Sequence, residues 1–269
     1  MKKRIAYSGI EGAFANIAAK KIFPDEEIIS FLDFRSAYKA TENGECDFCV
    51  LPIENSYAGE VGQVTDLMFR GSLFVNGVYT LDVVQNLLGV KGSSLQSVKK
   101  VISHPQALEQ CAVFLNDHGY EAIDAVNTAR AAKQVSEMND ISFAAIASDE
   151  TARLYNLEIL ASDINEKRDN STKFAILSRS DEKFFPENSH KVIIMFTVKN
   201  EAGALVKVLN KFGDFGFNMT EIRSRPLKGL AWTYYFYIEA EGDYEKQDWK
   251  QMISEMSYRC DKLKILGKF

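Results

Sequence analysis

Ser180-Asp181-Glu182-Lys183-Phe184-Phe185-Pro186-Glu187-Asn188-Ser189-His190 divides this chain of 269 residues into two patterns. Polar residues gather around a proline and an apolar run follows, which is how a boundary between domains reads. Downstream, the periodicity gives a strand over 192–198, a helix over 203–212, strands over 218–225 and 232–240, a helix over 246–258 and a strand over 263–266. That succession is the βαββαβ ferredoxin-like order. Alternation in the third of these strands sets Trp232, Tyr234, Phe236 and Ile238 on one apolar face, expected to pack on the two helices. A small sheet covered by helices on one face is expected to pair along its edge, as a homodimer or homotetramer.

Upstream the pattern changes to alternating strands (near 5–7, 47–52, 98–103, 122–125 and 142–147) and helices (near 16–22, 107–117, 129–138 and 149–155). This is an α/β arrangement with mostly parallel strands. Thr128 can cap the helix behind it, and Gly119 closes the one carrying Gln110, Cys111 and Phe114. Residues 71–97, with Gly and Ser spread through them, read as a crossing between two lobes. The expected domains are 1–181 and 190–269.

Composition narrows the function. Hydrophobic residues make up 46% and charged residues 26% of the chain, enough to bury real cores. A net charge of −5 without blocks of like charge argues against nucleic acid or a membrane surface as partner. No uncharged run reaches the roughly 18 residues of a membrane span, and Met1-Lys2-Lys3-Arg4 leads straight into a strand, so a cytoplasmic protein is expected. Cys46 and Cys49 form a C-x-x-C, but in a strand positions three apart face opposite sides. With Cys111 and Cys260, they read as reduced, packed thiols, and no metal site is expected.

Four motifs carry chemistry. Ser8-Gly9-Ile10-Glu11-Gly12-Ala13 joins the first strand to the first helix, either as an anion-holding helix start or as a tight turn needing glycine. Pro52-Ile53-Glu54-Asn55-Ser56 brings polar side chains to a strand end, where ligands bind in open α/β sheets. In Ser103-His104-Pro105-Gln106-Ala107-Leu108, His104 is either a substrate donor or a helix-entry residue. Asp169-Asn170-Ser171-Thr172-Lys173-Phe174 returns the chain to a strand after Glu166, Lys167 and Arg168, with a hydroxyl beside a cation. The Ser171-Thr172-Lys173 stretch stands in neither a Ser-x-x-Lys nor a Gly-x-Ser-x-Gly context, so nucleophilic hydrolysis is poorly supported.

Together with Gly203-Ala204-Leu205-Val206 and Arg223-Ser224-Arg225-Pro226, these motifs resemble, in order, those of prephenate dehydratases with a C-terminal ACT regulatory domain. The resemblance runs from about Arg4 to the end of the chain. It implies a two-lobed catalytic domain like a periplasmic binding protein, followed by the ACT domain. It implies loss of CO2 and water from prephenate to give phenylpyruvate in phenylalanine biosynthesis, without cofactor, and feedback inhibition by L-phenylalanine. Thr172 then takes the place of the proton donor or relay, and Lys173 that of the family's substrate-binding arginine. Glu54, Asn55 and Ser56 match the cleft motif, with Glu54 expected beside Thr172 and Lys173 as catalytic, and Asn55, Ser56, His104, Thr128, Asn170, Phe174 and the opening-turn Gly9 and Gly12 expected to bind substrate. Gly203, Ala204, Leu205, Val206, Asn218, Arg223, Ser224, Arg225 and Pro226 match the effector site. Ile10 and Ala13 replace proline and a hydroxyl residue, Ala202 replaces proline, and Arg223 replaces glutamate and inverts that charge. A lysine at 173 cannot form the two parallel hydrogen bonds of a guanidinium.

Arogenate dehydratase, or an enzyme of dual specificity, is an adjacent reading that differs in contacts to an amino group. A related decarboxylase that keeps the hydroxyl is argued against by Thr172. A non-catalytic amino-acid sensor belongs to another class, and turnover separates it from the enzymes.

Overall fold

The computed structural model describes residues 2–166, 169–185, 190–245 and 248–269. By compactness the chain divides into two units, Met1–Val64 with Tyr79–Phe174, and Thr65–Val78 with Ala175–Phe269. This cut differs from the expected one: an internal stretch and the end of a strand group with the C-terminal part.

The first unit opens with β1 (Arg4–Ser8), α1 (Phe14–Ile22), β2 (Glu27–Phe31), α2 (Phe34–Glu42), β3 (Phe48–Asn55) and β4 (Gly59–Glu60). α3 (Gly62–Arg70) and β5 (Phe74–Asp82) run on from one unit into the other. Then come β6 (Asn86–Gly89), β7 (Lys100–Ser103), α4 (Pro105–Gln110), α5 (Ala112–Asp117) and β8 (Glu121–Asp124). α6 (Thr128–Met138), β9 (Phe143–Ala147), α7 (Asp149–Leu154), β10 (Glu158–Ala161) and the returning strand β11 (Ser171–Ser178) follow. One sheet has the order β2-β1-β3-β11-β5, with β4 on β3; the other has the order β10-β6-β9-β7-β8.

β1 lies parallel to both neighbours, with Ile5 opposite Ile28 and Phe48. In the second sheet β7 is parallel to β8 and β9, whereas β6 is antiparallel to β9 and β10. Strands covered on both faces must be apolar throughout, and Ala144–Ala147 in β9 are fully buried.

Several elements depart from the sequence pattern for local reasons. The helix expected over 107–117 breaks at Cys111, because the Gln110 carbonyl accepts the Glu166 N–H (2.9 Å) from a loop. Asn127, not Thr128, caps α6, accepting the Arg130 N–H at 2.7 Å. α2 is announced by Asp33, which caps it through the Ser36 N–H at 2.7 Å. Cys46 lies ahead of β3 rather than within it; both it and Cys49 are buried free thiols, and burial pushes the Cys49 thiol up to about 12.

The second unit contains β12 (Lys191–Thr197), α8 (Ala204–Asp214), β13 (Asn218–Pro226), β14 (Tyr234–Glu241), α9 (Asp248–Ser257) and β15 (Lys262–Lys268). Its antiparallel order, β13-β14-β12-β15, is that of a ferredoxin-like βαββαβ sheet. Lys246, where the last helix was expected to start, lies outside the described residues, as do Lys167, Arg168 and 186–189 of the inter-domain stretch. Val192, Ile194, Phe196 and Ile238 pack with Val208, Phe212 and Met252 of α8 and α9.

The aromatic face of β14 is only half as expected. Trp232 sits before the strand at φ 57° and is 81% exposed, because the chain is still turning there, with the Leu227 N–H on the Thr233 carbonyl. The opposite face is buried as well: Tyr235 and Tyr237 are nearly inaccessible, and Phe69 of α3 stacks on Tyr235 at 4.3 Å. The chain is thus a mixed α/β protein. No helix among the described residues is long and apolar enough to cross a membrane.

Candidate active site

Asn55 ends β3, and its side chain organises the place where β3, β11 and α4 meet. Its Oδ1 accepts the backbone N–H groups of Tyr57 (3.1 Å) and Ala58 (3.0 Å), the turn chemistry for which asparagine is suited. The same Oδ1 accepts Nε2 of Gln106 at 2.9 Å. Its Nδ2 lies 2.9 Å from Asn170 Oδ1, 3.0 Å from the Ser171 carbonyl and 3.0 Å from Thr172 Oγ1, so two protons serve three acceptors. Asn170 in turn donates Nδ2 to Gln110 Oε1 at 2.9 Å. Gln106 and Gln110 stand four apart, which places both on one face of α4.

His104 precedes α4 and accepts the Gln106 N–H on Nδ1 at 3.2 Å. Burial pushes its pKa down, against the pull of Asp124, so the ring is neutral and carries its proton on Nε2. The helix-entry reading of His104 describes this geometry, and the residue also lines the cavity beside it.

These groups line a cavity of about 250 Å³, a little below the usual range of about 300–1,000 Å³ for small-molecule sites. Asn55, Asn170 and Thr172 contribute from one side, and Gln85, His104, Gln106, Gln110, Asn127 and Thr128 from the other. None of the described lining side chains is charged. Ala13 and Phe14 complete it, and α1 starts there without a side-chain cap, leaving first-turn N–H groups for a ligand. A second cavity of about 370 Å³ shares Ala13, Phe14, Pro52, Asn127 and Thr172, and adds Gly9 and Phe174. Among the described residues no group of three or more His, Cys, Asp or Glu is placed to hold a metal ion.

The other sequence candidates are placed as follows. Strand alternation turns Thr172 and Lys173 to opposite faces, and Lys173 Nζ meets Glu54 Oε2 at 2.7 Å; neither residue lines these two cavities. Ser56 clamps the return of β11: its Oγ donates to the Asp169 carbonyl and accepts the Ser171 N–H, both at 3.0 Å. Gly12, at φ 86°, accepts Thr151 Oγ1 on its carbonyl at 2.9 Å, and a Cβ there would lie 3.0 Å from Leu154. It is therefore a packing glycine, while Gly9 borders the second cavity.

In the second unit a cavity of about 340 Å³ lies between the start of α8 and the start of β14, lined by Lys199, Glu201, Leu205, Trp232 and Asp261 among others. Of the nine expected effector residues only Leu205 lines it. Gly203 and Ala204 form the start of α8, Val206 is half exposed, and Asn218, Ser224 and Pro226 lie along β13. Arg225 turns to Asp66, with Nε 3.1 Å from its Oδ1. Arg223 pairs with Glu221 and lies over the Tyr237 ring at 5.4 Å, so the inverted charge is offset within its own strand.

A family model described as prephenate dehydratase matches residues 5–182. Over 274 residues the chain is 34% identical to a prephenate dehydratase of Methanocaldococcus jannaschii, covering 100% of this chain and 98% of that one. It is 35% identical over 279 residues to the chloroplastic arogenate dehydratase/prephenate dehydratase 2 of Arabidopsis thaliana, covering 99% of this chain and 72% of that protein. A solved prephenate dehydratase from Arthrobacter aurescens, in complex with L-Phe, matches with a TM-score of 0.90 at 25% identity, covering 98% of this chain and 89% of that one.

Proposed function

The chain belongs to the prephenate dehydratase family of enzymes, and from that premise we propose that its cavity converts prephenate to phenylpyruvate, CO2 and water. The ring carboxylate leaves as CO2, its bonding electrons aromatise the ring, and the ring hydroxyl departs with a proton as water. The observation that carries this reading is Thr172. Its Oγ1 accepts from Asn55, which leaves its O–H to give or relay a proton to the leaving hydroxyl. His104 Nε2–H adds a neutral donor.

The uncharged lining suits decarboxylation. A cation held on the reacting carboxylate would stabilise the ground state more than the transition state, in which that charge is dispersing. The uncapped start of α1 supports placing the distal carboxylate there, where backbone N–H groups hold an anion without a full counter-charge. Lys173 and Glu54 then brace β11 against β3.

At the level of the whole chain, the reading is a two-lobed, periplasmic-binding-protein-like catalytic domain over 1–181 and an ACT regulatory domain over 190–269. The ferredoxin-like order and the cavity beside the Gly203–Val206 motif support the second, with L-phenylalanine as the effector. The L-Phe complex of the Arthrobacter relative supports the same choice. The plant relative's name keeps arogenate as a second substrate to be tested.

Purified chain incubated with prephenate, and separately with arogenate, tests the assignment. Phenylpyruvate and CO2 in equal amounts from prephenate are expected. Phenylalanine from arogenate alone would change the substrate, and no product from either would overturn the reading.

A further inference from the structure

Resting on the dehydratase reading, we infer that Gln106 is a positioning residue that keeps the Thr172 proton available to the substrate. The Asn55 amide can meet Thr172 in two ways. With Nδ2 turned to it, Oγ1 accepts and the hydroxyl proton stays free; with Oδ1 turned to it, the hydroxyl donates to Asn55 and its proton is spent. The first arrangement is present, at 3.0 Å.

The amide is held at both ends, and Nδ2 also donates to Asn170 Oδ1 at 2.9 Å and to the Ser171 carbonyl at 3.0 Å. Tyr57 and Ala58 supply backbone N–H groups to Oδ1, which fixes that atom as an acceptor and so requires Gln106 to present Nε2, at 2.9 Å. Gln106 reaches Asn55 from α4, and both residues line the cavity. The backbone N–H of Gln106 holds His104 by Nδ1. One residue thus orients both neutral donors, through its side chain for Thr172 and through its main chain for His104.

Gln106→Glu isolates the side-chain part, because the shape and the main-chain N–H are kept. The introduced carboxylate can only accept, so it removes one of the three donors to Oδ1, repels that atom and displaces the Asn55 amide from its place against Thr172. At pH 8 kcat on prephenate is expected to fall about 10- to 100-fold with KM within about threefold. As pH falls to the ordinary glutamate value near 4.3, about half of the carboxyl regains a proton to donate, and activity relative to wild type should rise at least about threefold by pH 4.3. Gln106→Met, which neither donates nor accepts strongly, should lose activity with a ratio that is flat in pH.

Each variant is divided by the wild type at the same pH, after subtraction of uncatalysed conversion. This removes the shared titrations of His104, of Asp124 beside it, and of the Lys173–Glu54 pair. A flat ratio for Gln106→Glu, or a loss carried entirely by KM, would overturn the role. Should circular dichroism show that this variant does not fold, Gln106→Met decides: wild-type kcat there would equally overturn it. Wild-type protein that makes no phenylpyruvate would overturn the dehydratase reading itself, and this role with it.

Discussion

At the scale of single residues, the proposed activity depends on which atoms of a neutral network donate and which accept. Asn55, Thr172 and His104 stand in the quoted sequence motifs, and the structure gathers them around one cavity with Asn170. Gln106 stands in the quoted Ser103–Leu108 motif but is given no role there, and Gln85 and Asn127 lie outside the quoted motifs, because an amide carries no signal in hydropathy or charge. Only the four-residue spacing of Gln106 and Gln110 hints at a shared face. Lys173 shows the limit from the other side: a cation next to a hydroxyl in sequence faces away from it in a strand. Its pair with Glu54 is partly exposed on both partners, the situation in which ion pairs contribute about 0–1 kcal/mol. Lys173→Met is therefore expected to shift the urea midpoint little and to change kcat less than about threefold, since an interaction outside the reacting groups does not enter the chemical step. A kcat loss above tenfold in steady-state assays would return Lys173 to the reaction.

At the scale of elements, α3 shows how a helix is fixed by charges that its own sequence does not announce. Its C-terminal carbonyls receive Lys264 Nζ, 2.6 Å from Met68 O and 2.5 Å from Gly71 O. Such capping by a cation also suits the negative end of the helix dipole. Asp66 accepts Tyr235 OH at 2.6 Å and Arg225 Nε at 3.1 Å, with Lys228 Nζ 2.9 Å from its other oxygen. Burial alone would raise its pKa, but these donors hold the carboxyl down at about 2, from an ordinary 3.8. Between those values the unfolded chain binds the extra proton. The stabilisation, about 2 kcal/mol, is thus complete above pH 4 and lost as pH falls through about 2. Urea unfolding between pH 6 and pH 2 should show a steeper loss for the wild type than for Asp66→Asn; equal slopes would contradict this. The elements themselves were legible where periodicity is long, as in α6 and β12. The short exposed edge strand β2, and α3, whose buried residues face a distant part of the sequence, were not.

At the scale of the whole molecule, the order of motifs identifies the family and the βαββαβ succession marks the C-terminal sheet, both readable from the chain. What sequence order cannot give is compensation between neighbours on a strand. Arg223 looks like an inverted charge in an effector motif, yet Glu221 two residues earlier, on the same face, offsets it. Isothermal titration of the intact chain with L-phenylalanine should therefore give saturable heat below millimolar concentration, and no heat at millimolar concentration would contradict the effector assignment. The central claim is that Thr172 delivers the proton in an otherwise neutral cavity, and the most direct test is steady-state phenylpyruvate formation from prephenate by wild type and Thr172→Val. The expected result is a kcat lower by a factor on the order of 10²–10⁴ with KM nearly unchanged, the signature of an interaction made in the transition state. A Thr172→Val enzyme that turns prephenate over at the wild-type kcat would contradict it.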